Sequence, residues 1–378
     1  MTQPDDLLPA GLADALPAEA AAQTRIMRNA LDVLHAHGYD RVRPPLIEFE
    51  HSLAGRMEGV SVRRMFRFVD PASLRTLALR SDMTPQIGRI AVTSLADRPR
   101  PLRLAYAGEV ALIRADQLDP ARQRLQLGAE LIGADSVAAA GEIVSLAIES
   151  CQAAGASDLT LDLTLPDLVD TLAAGTFPLA ADQLEVVRRE LDMKDAGALN
   201  DAGGADYLPL LYAAGPFANA VDRLAAIDAG GALASRISGL REVAEKVAQM
   251  WPDVTITLDP TERHGFEYQS WFGFTLYAEG ARGAIGRGGT YCIRGADEPA
   301  TGFSVYLEPL LEALNGSGEA ADRRLFLPLD HDRQAAARAR AQGWRTVAAL
   351  SEHDEAAVLG CSHTLQDGEV REAASRYA

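Results

Sequence analysis

The chain has 378 residues, of which 48% are hydrophobic and 24% charged, so it is long enough for about two or three soluble domains. No stretch approaches the roughly 18 apolar residues that cross a membrane, and residues 1–6 lack the apolar core of a signal peptide, so a cytoplasmic location is expected. The formal charge of −17 disfavours nonspecific contact with nucleic-acid phosphates.

The N-terminal part of the chain alternates helical and extended patterns. Apolar residues recur every three or four positions over 16–37 and predict a helix, which Gly38 is suited to end. The prolines at 44 and 45 predict extended chain. Strand patterns at 65–70 and 74–79, separated by a short turn, predict a hairpin.

The next elements also have clear periodicity. Thr84 and Pro85 predict a helix start, with Thr84 as the N-cap. The elements that follow are two antiparallel strands at 102–113 and 125–132 around a polar loop, a helix at 137–153 and a strand at 159–163.

Residues 167–250 are rich in alanine, leucine and charge, with little strand pattern, and they predict a helical insertion. After it come strands at 254–258 and 272–279, a glycine-rich turn at 284–291, a segment at 302–314 that begins as strand and ends as helix, a linker at 315–318, and a strand–helix–strand pattern over 325–350.

These elements predict an α+β protein built on a largely antiparallel sheet. The expected core is 1–166 with 251–315, the insertion is 167–250, and a short α/β region is 319–378. Cys151, Cys292 and Cys361 are far apart, and no histidine pair has zinc spacing, so neither a disulfide framework nor a metal site is expected. No GxGxxG or GxxxxGK[ST] phosphate loop occurs.

Five short segments, in the same order, resemble motifs of the histidyl-tRNA synthetases. They are LRSDMT at 79–84, QLGAELIG at 126–133, HGFEY at 264–268, GGTY at 288–291 and TGFS at 301–304. The resemblance implies a class II synthetase-like antiparallel sheet flanked by helices. The segments LPAEA at 16–20, PPLIE at 44–48 and DMTPQI at 82–87 are more similar to the synthetase-like regulatory subunits of ATP phosphoribosyltransferase, and the proline-containing motif implies a homodimeric core.

The resemblance also shows where cations for adenylate formation are missing. That reaction brings a carboxylate against a triphosphate, and arginines normally stabilise the charge. The matching positions here are Leu112, His264 and Pro309. Arg114 or Arg263 could replace a lost cation after a register slip, although a slip of one residue turns a strand side chain to the other face.

Groups suited to an amino acid remain. The resemblance assigns a histidine site to Asp82, Thr84, Gln126, Glu130, Tyr268 and Tyr291, and possible anion binding to Arg122. Alternatively, Thr84 serves only as a helix cap, the tyrosines serve as core residues, and Gly288 with Gly289 forms a tight turn.

The C-terminal region, 319–378, has eight arginines, no lysine and ten acidic residues, so it lacks the basic footprint of an RNA-binding face and no tRNA partner is expected. The resemblance implies a regulatory subunit with no catalytic residue and no cofactor. Its expected partners are a short-form ATP phosphoribosyltransferase catalytic subunit, a second copy of itself and L-histidine as effector. Two alternatives stay open: an active short histidyl-tRNA synthetase, and an independent amino-acid sensor or amide-forming enzyme on the same fold.

Overall fold

A computed structural model describes residues 8–54, 65–113, 120–227, 230–263, 269–314 and 323–373. The chain divides into two compact units, Met1–Asn315 and Gly316–Ala378. The division predicted from the sequence also set 167–250 apart as an insertion, and that finer boundary stays a prediction.

The helices of the described residues are α1 (Pro17–Ala36), α2 (Glu50–Ala54), α3 (Thr84–Val92), α4 (Val137–Ala153), α5 (Leu168–Ala173), α6 (Ala181–Asp192), α7 (Ala196–Asp201), α8 (Phe217–Ile227), α9 (Ala234–Met250), α10 (Leu307–Ala313) and α11 (Arg333–Ala341), with a 3₁₀ helix at Ala205–Tyr212.

The strands of the first unit are β1 (Asp40–Arg41), β2 (Ile47–Phe49), β3 (Arg67–Val69), β4 (Thr76–Leu79), β5 (Leu102–Ala111), β6 (Gln123–Ile132), β7 (Leu159–Thr164), β8 (Gly215–Pro216), β9 (Thr255–Leu258), β10 (Gln269–Ala278), β11 (Gly286–Ile293) and β12 (Glu298–Tyr306). The second unit contains β13 (Arg324–Leu327), β14 (Arg345–Ala348), β15 (His363–Gln366) and β16 (Glu369–Glu372).

The main sheet has nine strands in the order β1-β5-β6-β12-β11-β10-β7-β9-β8. Its pairs are antiparallel except β1 with β5 and β7 with β9. The predicted α+β class with a largely antiparallel sheet is therefore confirmed. The predicted hairpin is also confirmed, since β3 and β4 pair antiparallel in a smaller sheet with β2.

The two faces of the main sheet differ in chemistry because side chains alternate along each strand. One face is apolar and is covered by α1 and α4, with α9 packed against α4; it carries Ala105, Leu127, Phe303, Phe274 and Leu161. The opposite face carries a continuous row of paired residues, Tyr106, Gly128, Ser304, Arg287, Thr275, Asp162 and Thr257. This second face, which we call the polar face, holds the candidate site.

Residues 167–250 are mostly helical, and they extend the core of the first unit. Buried residues such as Leu172, Leu191 and Leu240 belong to the same hydrophobic cluster as the apolar face of the sheet. β8 of this segment pairs with β9 at the edge of the main sheet.

Two local predictions are wrong. Thr84 does not cap α3; the N-cap is Met83, and the backbone amide of Thr84 donates to Asp82 Oδ1 at 3.0 Å. Gly288 and Gly289 do not form a turn but lie inside β11. At Gly288 the neighbouring strands leave no room for a side chain. A Cβ at Gly288 would lie 2.5 Å from the carbonyl oxygen of Gly302 and from the Phe274 ring.

Gly38 ends α1 as predicted, with a left-handed φ of +81° directly after the C-cap. In the second unit the predicted strand–helix–strand pattern is confirmed as β13, α11 and β14. Strands β15 and β16 had no predicted counterpart; they complete a four-stranded sheet in the order β14-β13-β15-β16.

Candidate functional site

The centre of the polar face is a buried carboxyl group. Glu130 on β6 is only 1% exposed, and its Oε2 accepts a hydrogen bond from the Tyr291 hydroxyl at 2.8 Å. Its Oε1 accepts one from the Tyr106 hydroxyl at 3.0 Å. Burial raises the pKa of Glu130 to about 8, against the stabilising effect of these hydroxyls on the ionised form.

Glycines on neighbouring strands make room for these side chains. Gly302 lies directly opposite Glu130, and a Cβ there would lie 1.6 Å from Glu130 Oε2. Gly128 lies opposite Tyr106, and a Cβ there would lie 2.5 Å from the Tyr106 hydroxyl. The polar side chains therefore lie flat over glycine positions of the sheet.

Gln126 connects three parts of the site. Its Oε1 accepts from the backbone amide of Met83 at 2.9 Å, and its Nε2 donates to Asp82 Oδ1 and to Ser304 Oγ, each at 2.8 Å. Both amide hydrogens are thus used inside the protein. Gln126 consequently fixes Asp82 and the start of α3 over the sheet.

Asp82 and Thr84 are brought to Glu130 by α3, which packs against β6. Asp82 is half-buried at the helix start, and Thr84 is buried, with its hydroxyl 3.2 Å from the Tyr106 hydroxyl. Thr84 also lowers the pKa of Glu130 through a side-chain hydrogen bond, which places both groups in one cluster.

Sequence reasoning missed two members of this cluster. The Tyr106 hydroxyl lies 2.9 Å from Ser304 Oγ, so these two residues join β5 to β12 across the site. The alternation in β5 shows that Leu104, Tyr106 and Gly108 share a face, but only the pairing of the strands shows what they face.

Two of the three positions where the resemblance implies a lost arginine, Leu112 and Pro309, lie in the described residues. Leu112 follows β5, and its backbone amide donates to the Arg122 carbonyl at 2.7 Å. Pro309 lies in the first turn of α10, after Glu308, whose Oε1 accepts from the backbone amide of Leu125 at 2.8 Å. His264 and Tyr268, like the alternative cation Arg114, lie outside the described residues.

Arg122, the predicted anion ligand, contacts the protein itself. Its guanidinium donates to the carbonyls of Leu112 at 3.3 Å and Ala10 at 3.1 Å, and it lies over the Phe66 ring at 4.8 Å. In this arrangement Arg122 anchors the N-terminal segment. The backbone amide of Arg263 donates to Asp192 Oδ1 at 3.0 Å, which ties the chain before residue 264 to the end of α6.

The arrangement suits a small cationic group. Two carboxyl groups, two tyrosine hydroxyls and a threonine hydroxyl converge where α3 meets β6. Within the described ranges, no group of three histidine, cysteine, aspartate or glutamate residues is placed to hold a metal. No helix in the part of the chain that the structure describes is long and apolar enough to span a membrane.

The family model described as histidyl-tRNA synthetase matches residues 11–310. A relative from Rhodospirillum centenum, called an ATP phosphoribosyltransferase regulatory subunit, is 41% identical over 98% of this chain and 97% of its own. A relative of the same name from Paramagnetospirillum magneticum is 41% identical over 95% of this chain and 96% of its own.

Solved structures agree on the fold. An ATP phosphoribosyltransferase regulatory subunit/histidyl-tRNA synthetase from Bacillus halodurans superposes with a TM-score of 0.81 at 24% identity, over 95% of this chain and 97% of that one. A chain of the ATP phosphoribosyl transferase (HisG:HisZ) complex from Thermotoga maritima has a TM-score of 0.59 at 17% identity, over 75% of this chain and 97% of that one. By its sequence relatives and its fold together, this chain belongs to the ATP phosphoribosyltransferase regulatory subunits, a family built on the histidyl-tRNA synthetase fold.

Proposed function

We propose that this chain is a non-catalytic subunit that a short-form ATP phosphoribosyltransferase catalytic subunit requires for activity and for feedback inhibition by L-histidine. The observation that carries the proposal is the enclosed cluster of Glu130, Asp82 and Tyr291, which has the charge and hydroxyl groups to hold an amino acid. The relatives called ATP phosphoribosyltransferase regulatory subunits support a role in histidine biosynthesis. The cluster would bind L-histidine, the end product of that pathway.

The ammonium group of L-histidine would lie between Asp82 and Glu130. Both carboxyl groups belong to one hydrogen-bond network. Asp82 accepts from Gln126, and Glu130 accepts from Tyr106. Gln126 and Tyr106 both contact the hydroxyl of Ser304. Tyr291 and Tyr268 would lie on the imidazole side, as the family resemblance implies. A bound ammonium favours the ionised form of Glu130, so binding near neutral pH would release a proton from it.

The site is poorly equipped for adenylate formation. Leu112 and Pro309 stand at two positions where the resemblance implies cations, and neither side chain can carry charge. Removing one preorganised donor costs about 10²–10³ in rate, so the loss of two or more leaves binding without activation.

Assembly with a catalytic subunit follows from the same family membership. Feedback inhibition requires that L-histidine bind two states of the assembly with different affinity. We expect a homodimeric core of this chain within that hetero-oligomer. The cytoplasmic location expected from the sequence remains a prediction.

Reconstitution tests the proposal. A short-form catalytic subunit alone should form phosphoribosyl-ATP slowly, addition of this chain should raise the rate, and L-histidine should then lower it. Substitution Glu130→Gln should abolish the inhibition while leaving the activation in place. If this chain neither raises the rate nor confers inhibition, the proposal is wrong.

The synthetase alternative predicts a different result. Histidine-dependent exchange between ATP and pyrophosphate should be undetectable with this chain alone. Robust exchange would favour an active synthetase over a regulatory subunit.

A further inference from the structure

One guanidinium on the polar face has no role in the cluster around Glu130. Arg287 lies on β11, opposite Ser304 of β12 and Thr275 of β10. Because Gly302, two residues before Ser304, lies opposite Glu130, the side chains of Arg287 and Glu130 share a face. Arg287 therefore stands at the border of the candidate site.

The Arg287 side chain is half-buried, and its Nε atom is buried without a hydrogen-bond partner among the described residues. An unsatisfied buried donor is costly, and native proteins leave few of them. Since the described residues supply no acceptor, this Nε–H is available to a bound ligand.

Two carboxyl groups near Arg287 have other partners. Asp162 and Glu262 are hydrogen-bonded to each other, and Asp162 also accepts from the Thr257 hydroxyl. Burial, followed by the contact with Asp162, raises the pKa of Glu262 to about 7. The raised pKa makes Glu262 less readily ionised near neutral pH, which reduces the negative charge near Arg287.

The sheet geometry places Arg287 at a suitable distance for the other end of an amino acid. It is two strands from Glu130, roughly 10 Å across the sheet, and one side-chain row away, roughly 7 Å along it. A long arginine side chain can reach back over Ser304 from there. The Ser304 hydroxyl already lies between Gln126 and Tyr106, next to the proposed ammonium position.

We propose that Arg287 binds the α-carboxylate of the amino acid whose ammonium group lies between Asp82 and Glu130. This inference rests on the proposed histidine site and names a ligand within it. A guanidinium fits a carboxylate through two parallel hydrogen bonds, so Arg287 would supply the cation that position 264 does not. The loss of the synthetase arginines would then remove triphosphate binding, while Arg287 on β11 would still bind the carboxylate of the amino acid.

Calorimetric titration with two ligands tests the assignment. L-Histidine carries the carboxylate, whereas L-histidinol has a hydroxymethyl group in its place and keeps the amine and the imidazole. Substitution Arg287→Met should weaken L-histidine binding about tenfold to a hundredfold and change L-histidinol binding by less than about twofold. Arg287→Lys keeps the charge but not the planar guanidinium. Its affinity for L-histidine should lie between those of the unaltered protein and Arg287→Met.

Arg282→Met is the matched control, since Arg282 is exposed in the turn before β11 and should leave both affinities unchanged. Circular dichroism and thermal melting would show that each variant is folded. Equal weakening of both ligands by Arg287→Met would overturn the assignment, because a residue that only supports the sheet affects both alike.

Two other outcomes would also overturn it. If Arg287→Met abolishes binding of pyrophosphate but leaves L-histidine unchanged, Arg287 is a phosphate ligand. If the unaltered protein binds neither L-histidine nor L-histidinol, the proposed histidine site itself fails, and the result is distinct from a failure confined to Arg287.

Discussion

At the residue scale, the site depends on a carboxyl group kept in an environment that disfavours its charge. Glu130 is buried, opposite a glycine, and surrounded by hydroxyl groups in place of cations. Hydroxyl donors partly offset the cost of ionisation, but burial dominates and the pKa rises. A cationic ligand beside Glu130 would therefore favour loss of its proton.

The raised pKa of Glu130 predicts a pH dependence of stability. The folded protein holds a proton on Glu130 up to about pH 8, whereas the unfolded chain loses it near 4.5. The free energy of unfolding should therefore fall as pH rises from 5 to 8, by about 1.4 kcal/mol per pH unit from this group. Urea unfolding of the protein and of Glu130→Gln across this range measures the difference. Parallel curves for the two proteins would contradict the prediction.

Gly302 is predicted to be essential to the same carboxyl group. In Gly302→Ala the new methyl would collide with Glu130 Oε2, so Glu130 must leave its hydroxyl partners. We expect a loss of about 1–3 kcal/mol in stability and loss of L-histidine binding. Gly283→Ala is the control, because a Cβ there meets nothing within 4 Å. Similar stability and affinity in both variants would count against this geometry.

At the scale of elements, one arginine joins the proline segment, the small sheet and the main sheet. The buried Arg80 donates to the carbonyl oxygens of Glu109 at 2.7 Å, Pro44 at 3.1 Å and Pro45 at 3.4 Å. A Cβ at Gly108 would lie 2.4 Å from its guanidinium. Burial lowers the pKa of Arg80. The carbonyl oxygens that surround its guanidinium accept its hydrogen bonds and so offset part of the cost of burying the charge.

Replacing Arg80 should be among the more damaging changes in the first unit. Arg80→Met removes the donors and leaves buried carbonyls unsatisfied, so we expect roughly 3–5 kcal/mol of destabilisation. Chemical denaturation measures the effect, with Arg98→Met as control, since Arg98 is exposed. A loss below about 1 kcal/mol would show that the segment with Pro44 and Pro45 is held by other contacts.

At the scale of the whole molecule, the small sheet presents apolar side chains to solvent. Phe68 is 43% exposed and Ile47 42%, and the strand pairing places both side chains on one face of the sheet. The sheet carries part of the proline-containing segment that the family resemblance places at a dimer interface. Exposed apolar clusters commonly mark contact surfaces.

We therefore expect Phe68→Lys to weaken self-association by introducing a charge into that surface. Sedimentation velocity should show a shift from dimer to monomer at a given concentration. Met250→Lys, at the exposed end of α9, is the control and should sediment like the unaltered protein. An unchanged dimer in Phe68→Lys would exclude this face of the sheet as the interface.

Much of the fold could be predicted from local patterns. The helix α4 and the strand pair β5 and β6 lie close to their predicted bounds, because their periodicity is strong. Thr84 shows where local rules fail: a good capping residue occupies the first turn of α3, and Asp82 accepts its amide hydrogen. The glycines of β11 resemble a turn in sequence, yet they serve close packing between strands.

The sequence by itself determined the order of the elements, the family to which the motifs belong, and most of the residues in the candidate site. Only the tertiary structure decided that Tyr106 and Ser304 complete the cluster, that Gln126 uses both amide hydrogens inside the protein, and that Arg287 borders it. The physical reason is register. Alternation along a strand reveals which residues share a face, but which residues meet across the sheet depends on pairing between segments more than 150 positions apart.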